Sequence, residues 1–235
     1  MKSQIDIEPF LELQPLEKSA FLYIKPLAPL SMVDSLPGSY YKTEKIPTFG
    51  MICGLLENII GFHFEESLRD EIIKNYFKKK NIPTHETESG FKSIITNHFK
   101  ISERIKLRNF KSMHLFEDYW TQHMIGSDVR HAKGSTRYDW KLEEKVNQLK
   151  LDIKAEKTTE KELDSLFKSN KSCFPHYYRS VNYREFLVLN GEYEIRLSLS
   201  SYLLGLLFRA LEQNNLAYLG TSEGWVDCSL EEIHA

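Results

Sequence analysis

IPTFGMICGLLENIIG, residues Ile46–Gly61, is the stretch on which the fold turns. Ile52, Leu55, Leu56, Ile59 and Ile60 recur at helical spacing and give one apolar face. Pro47 and Thr48 stand where a helix starts, since proline's missing amide costs nothing in the first turn. Gly61 stands where one ends. Gly50 and Gly54 lie four apart on one side, which predicts close packing against a neighbouring element.

Just upstream, Ala20–Met32 reads AFLYIKPLAPLSM. Phe21–Ile24 favours an extended chain, and Pro26 and Pro29 limit its pairing. A polar loop, Asp34–Lys45, joins strand to helix and turns at Pro37-Gly38. Downstream, Glu65–Lys80 is expected to be an amphipathic helix with a basic end at Lys78–Lys80, which suits the helix dipole.

The last third is regular. Asn182–Leu189 and Glu192–Leu199 flank Asn190-Gly191, which predicts a β-hairpin closed by a type I′ turn. Tyr193, Ile195, Leu197 and Leu199 alternate on one face of its second arm. A helix is expected over Ser201–Asn214, leading into Ala217-Tyr218-Leu219-Gly220. Between these regular thirds, Lys141–Asn170 is highly charged with a narrow stripe of Leu142, Val146 and Leu149. It reads as a helical insertion on the surface.

The chain of 235 residues is 41% hydrophobic, enough for one substantial core. Its net charge of -2 requires any polyanion site to be a local cluster. Three scattered cysteines, Cys53, Cys173 and Cys228, form neither a disulfide framework nor a zinc motif. Met1–Pro15 has no basic start followed by an apolar run, and no segment is apolar enough to span a bilayer. A soluble cytoplasmic protein is expected.

Two stretches carry candidate binding residues. In Lys100–Arg108, KISERIKLR, period two puts Lys100, Arg104, Lys106 and Arg108 on one side of an expected strand. Four like charges on one face repel each other unless an anion joins them, and a phosphate backbone is one such anion. A plain solvated strand face is the alternative. Gly126–Arg137, GSDVRHAKGSTR, is a glycine-containing loop bearing Arg130, His131, Lys133 and Arg137. Trp120, Tyr138 and Trp140 flank it, and cations beside aromatics suit a single-stranded nucleic acid. Its alternative is a surface loop between core aromatics.

Leu22–Gly61 and Leu211–Ile233, with Tyr218-Leu219-Gly220 in the latter, together resemble the fifth CRISPR-associated protein family, the RAMP-class subunit that caps the guide RNA of Cascade. Pro47, Thr48, Gly54, Leu55, Leu56 and Gly61 match that family's helix pattern, P-[ST]-x-x-x-x-x-G-[LM]-L-x-x-x-x-G. The matches cover about a quarter of the chain, by the general standard that motif hits need their structural context.

The resemblance implies an α+β fold: an RRM-like, ferredoxin-like core with an antiparallel sheet, a C-terminal β-hairpin and helix, and a helical thumb-like insertion. It implies one RAMP domain over 1–235, with insertions about 64–99 and 120–175. It also implies binding of the crRNA 5′ handle, contact with the backbone and large subunits, and a further contact with target DNA near the PAM-proximal end. No cofactor or metal is expected. The RNA-binding candidates are Lys25, Tyr41, Lys42, Lys45, Thr48, Lys100, Arg104, Lys106, Arg108, Lys111, Arg130, His131, Lys133 and Arg137.

Some relatives cut precursor RNA without metal, using tyrosine, lysine and histidine. Tyr40, Tyr41, Lys42, His114, His123, His131 and His176 supply those residue types, but no motif aligns them with the cleaving members. The expectation is a non-catalytic subunit. A metal-independent endoribonuclease and the capping subunit of a type III effector are the alternatives.

Overall fold

A computed structural model describes residues 7–33, 40–87, 90–121, 124–126, 139–170, 173, 176–178 and 182–234. It falls into two compact units, 1–118 with 183–235, and 119–182.

In chain order the elements of the first unit begin with β1 (Lys18–Pro26), β2 (Tyr40–Tyr41), α1 (Phe49–Ile59) and α2 (Glu66–Ile72). Then come β3 (His85–Glu86), β4 (Lys92–Ser93), β5 (Phe99–Ile101) and the long β6 (Lys106–Thr121). The second unit holds β7 (Met124–Gly126), α3 (Trp140–Lys154), α4 (Glu160–Ser169) and β8 (His176–Tyr178). The chain closes with β9 (Asn182–Leu199), α5 (Ser201–Gln213), β10 (Leu216–Tyr218) and β11 (Trp225–Glu232). The fold class is α+β.

The main sheet has seven strands and is built on β9. One edge of β9 pairs antiparallel with β1, from Lys18↔Leu199 to Ile24↔Tyr193. The same residues near its C-terminal end also pair with β5, Phe99↔Leu199 to Ile101↔Leu197, so β5 occupies the opposite edge. β6 pairs with β9 as well, and β2 runs parallel to its first residues. β1 carries β11 on its far side, and β11 carries β10.

α1 and α5 cover one face of this sheet. Ile52, Cys53, Leu55 and Leu56 of α1 and Leu203, Leu204 and Leu207 of α5 share a core with Ala20, Leu22, Ile24, Tyr193, Ile195, Leu197 and Val226. Each leucine, isoleucine and valine among them contributes about 1.5–3 kcal/mol by leaving water. Thr48 caps α1, its hydroxyl accepting from the Met51 amide. Pro47 therefore lies one residue before the cap and outside the first turn. Gly61 ends the helix at φ +83°, a conformation that favours glycine.

The sequence-predicted hairpin at Asn190-Gly191 does not exist. Asn182–Leu199 is one continuous strand, with Leu187, Leu189, Tyr193, Ile195, Leu197 and Leu199 all buried on one side. Glycine is needed there for approach instead of reversal. A Cβ on Gly191 would lie 3.1 Å from the Phe110 Cα and 3.2 Å from the Arg108 carbonyl oxygen. The C-terminal hairpin is instead β10–β11, turning through Gly220–Gly224. The strand expected over Lys100–Arg108 also divides: β5 ends at Ile101 and β6 starts at Lys106. The helix expected over Glu65–Lys80 is α2, continued by a wider π turn over Ile73–Phe77.

In the second unit β7 pairs antiparallel with β8. Leu142 and Val146 of α3 pack with Leu163, Leu166, Phe167 and Cys173 in a small separate cluster. Leu149, the third residue of the expected stripe, is not part of it.

Glu57 of α1 is buried and ties the segment after α1 to the core. One carboxylate oxygen accepts from the Ser93 hydroxyl at 2.8 Å and the Ile94 amide at 2.9 Å. The other accepts from Arg69 at 2.6 Å, and Arg69 also donates to the Lys92 carbonyl. Burial pushes the Glu57 carboxyl up from its ordinary range, against the pull of Arg69.

Removing the cation leaves a buried carboxylate without its partner. Arg69→Met is expected to cost about 3–5 kcal/mol at neutral pH. A raised folded-state pKa means the native state takes the proton first, so the deficit against wild type narrows as pH falls toward 5. Urea denaturation of both proteins at pH 7 and pH 5 checks this, and a deficit independent of pH would contradict it.

Candidate nucleic-acid interface

The face of the sheet away from α1 and α5 is set by the alternation in its strands. On β9 the outward row runs Phe186, Val188, Asn190, Glu192, Glu194, Arg196 and Ser198. On β1 it is Phe21, Tyr23 and Lys25, opposite Glu231, Ser229 and Asp227 of β11.

The candidate cations near this face have been given local counter-charges. Glu103 receives Arg196 across the sheet and Lys106 at 3.3 Å. The hydrogen bond from Arg196, then that from Lys106, holds the Glu103 carboxyl below its ordinary range. Arg108 lies 3.6 Å from Glu192, and its guanidinium sits 4.5 Å from the centre of the Tyr23 ring. Lys25 is exposed opposite Asp227.

Lys100, Arg104 and Lys111 are also exposed, and none of the three has an ion pair among the described residues. The middle of the face is acidic. Glu194 has no cation partner among the described residues, and Glu231 accepts from the Tyr23 hydroxyl at 3.2 Å. Burial, then that bond to Glu231, raises the Tyr23 pKa.

A second group lies at the other end of β9. Tyr41 is half-buried, and the buried Arg184 guanidinium is 5.4 Å from its ring centre. Lys42 and Lys45 are exposed, while the Lys45 carbonyl accepts from the buried Tyr193 hydroxyl at 2.8 Å. Thr48 is committed to its helix cap.

Tyr41 pairs with Arg184, and Lys100 with Ser198. At ~3.3 Å per strand residue these positions are at most roughly 45 Å apart. The candidates are therefore strung along β9 instead of gathered in one pocket. Arg130, His131, Lys133 and Arg137 lie outside the described residues.

Of the residue types suited to RNA cleavage, Tyr40 is held protonated. Its hydroxyl donates to Glu117 at 2.8 Å, and that bond pushes its pKa up to about 12. A general base near neutral pH needs the opposite shift. His114 is exposed on β6. No group of three or more metal-ligating side chains occurs among the described residues. No helix among them is long and apolar enough to cross a membrane.

The sequence reading missed Arg196 and Glu103 as a cross-strand pair and Arg184 as a buried cation. Arg196 stood in the polar row of a recognised alternation. Its partner, 93 residues away, had no local signal.

The family described as CRISPR-associated protein Cas5p matches residues 5–230. Among curated proteins, none matches this chain. Among solved structures, a chain in the cryo-EM structure of the type III-B Cmr-beta bound to cognate target RNA and AMPPnP is similar, at 10% identity and a TM-score of 0.35. That similarity covers 92% of this chain and 64% of the other, so this chain spans a little under two thirds of its length.

Glu103 neutralises two cations at once, so Glu103→Gln is expected to expose positive potential along β5 and β6. The variant should leave a heparin column at higher salt than wild type. Identical elution would mean that Arg196 and Lys106 are not held back by this carboxylate.

Proposed function

The chain belongs to the CRISPR-associated Cas5p family, and on that premise we propose that it is the non-catalytic subunit of a type I Cascade complex that holds the 5′ handle of the crRNA. The family match over residues 5–230 carries this reading. The strand order supports its RRM-like core. Taking β1, β5 with β6, β9 and β11 as strands one to four, the sheet runs four-one-three-two. α1 follows the first strand and α5 the third, as a ferredoxin-like fold requires.

In this reading the handle is held by cations on phosphates, with stacking and base-edge contacts adding preference. Lys100, Arg104 and Lys111 are the described cations on β5, β6 and the turn between them that are best placed to act, because no carboxylate among the described residues forms an ion pair with them. Lys106 and Arg108 act more weakly, since each would exchange an existing ion pair for a phosphate. The backbone and large subunits are the proposed protein partners, with target DNA near the PAM-proximal end as a further contact.

The test is gel retardation of the repeat-derived handle RNA by the full chain. Retardation without product bands is expected, with or without EDTA, and weakening as salt rises. The double variant Lys100→Glu/Arg104→Glu should lower affinity about tenfold or more, and Lys106→Glu should do less. Product bands that vanish on mutation of one histidine would replace this reading with a metal-independent endoribonuclease. An affinity unmoved by the double charge reversal would remove β5 and β6 from the RNA path.

A further inference from the structure

The outward row of β9 changes character along its length. Glu192 and Glu194 lie toward its C-terminal half, with Asp227 and Glu231 on β11 across β1. Toward its N-terminal half the row is apolar, at Phe186 and Val188. Phe116 of β6 stacks on Phe186 with ring centres 5.3 Å apart and planes at 16°. That stack leaves Phe116 42% exposed and Val188 39% exposed, with Phe110 on the same β6 strand at 52%. Scattered exposed apolar side chains are ordinary. A stacked aromatic pair with an exposed aliphatic side chain two residues along the same strand is a patch, and patches of this kind mark interaction sites.

The charges beside the patch select the class of partner. A phosphate backbone crossing it would continue onto Glu194 and Glu231, neither of which has an ion pair among the described residues, and repulsion there disfavours a polyanion. Arg108 is already engaged by Glu192 and by the Tyr23 ring. A protein surface with apolar side chains at its centre and lysine or arginine beside them complements both halves of the row.

We infer that the outward face of β6 and β9 around Phe116, Phe186 and Val188 docks an apolar, basic-edged segment of a neighbouring protein subunit, while RNA is kept to the cations beyond Glu103. This rests on the proposed role as a complex subunit and names the face that role would use. Burying the aromatic patch supplies affinity, and Glu192 and Glu194 orient the partner.

The experiment measures capture of the purified, RNA-free backbone subunit of the same complex by the immobilised full chain. Retardation of handle RNA by the same proteins, without that subunit, is measured in parallel. Phe116→Ser and Glu194→Lys are each expected to weaken capture about tenfold or more; Phe116→Ser leaves RNA affinity within about twofold, and Glu194→Lys, which removes a repelling charge, does not lower it. Glu194 is a partly exposed side chain without an ion pair among the described residues, so its reversal reports on docking even if the serine variant unfolds.

Undiminished capture by folded variants overturns the inference, as does a wild-type chain that fails to bind the subunit. A Phe116→Ser loss of RNA affinity joined to a Glu194→Lys gain would assign the face to RNA and overturn it equally. A wild-type chain that captures the subunit but does not retard RNA leaves the docking face standing and removes the handle-binding role.

Discussion

The structure depends on one strand being paired along both edges. β9 has 18 residues, and β1, β2, β5 and β6 all hydrogen-bond to it. Its buried row meets α1 and α5 through Leu187, Leu189, Tyr193, Ile195, Leu197 and Leu199. Its outward row carries the apolar patch, the acidic centre and Arg196. Because strand side chains alternate strictly, a slip of one residue in β9 would exchange these rows. Core and surface are thus specified by the same register. Gly191 protects that register by letting β6 approach where any Cβ would meet its backbone.

The α1 region was legible because its signals are local. The apolar period and the terminating glycine lie within Thr48–Gly61 and the structure uses both as read, while the start moves by one, with Thr48 as the cap and Pro47 before it. The reading of Asn190-Gly191 failed for an equally definite reason. Phe186-Leu187-Val188-Leu189 offers an apolar residue to both faces of a strand. A hairpin would put Phe186 and Val188 on the side of Tyr193 and Ile195, whereas a continuous strand puts Leu187 and Leu189 there. The pattern fits both, and the turn dipeptide decided for the hairpin. The structure decides for the strand, because β1, β5 and β6 supply partners for both halves of it. Those partners are distant in sequence.

The candidate face was legible as a set of cations and illegible as an electrostatic arrangement. The alternation from Lys100 to Arg108 survives in the exposure of its residues even though the strand is interrupted. The repulsion expected among those cations is relieved within the protein for two of them. Lys106 meets Glu103, three residues earlier, and Arg108 meets Glu192, on β9. Glu103 interrupts the apolar side of that alternation, between Ile101 and Ile105. Its purpose is visible only when β9 brings Arg196 beside it. Counting positive charges along a strand therefore overstates its potential, because counter-charges arrive from strands that the count does not include.

That arrangement also bears on how a chain of net charge -2 can serve as an RNA-holding subunit. A uniformly basic sheet would attract any polyanion along its whole surface, with little control of register. Here the paired cations contribute short-range contacts but little long-range field, while Lys100, Arg104 and Lys111, without ion pairs among the described residues, keep theirs. Under the proposed reading the carboxylate of Glu194, which has no ion pair among the described residues, would oppose phosphates at the centre of the face. Attraction and repulsion on one sheet set a boundary that attraction alone would not. Under the proposed reading, that boundary lets one small α+β core meet an RNA end and a protein neighbour without the two competing for the same strand positions.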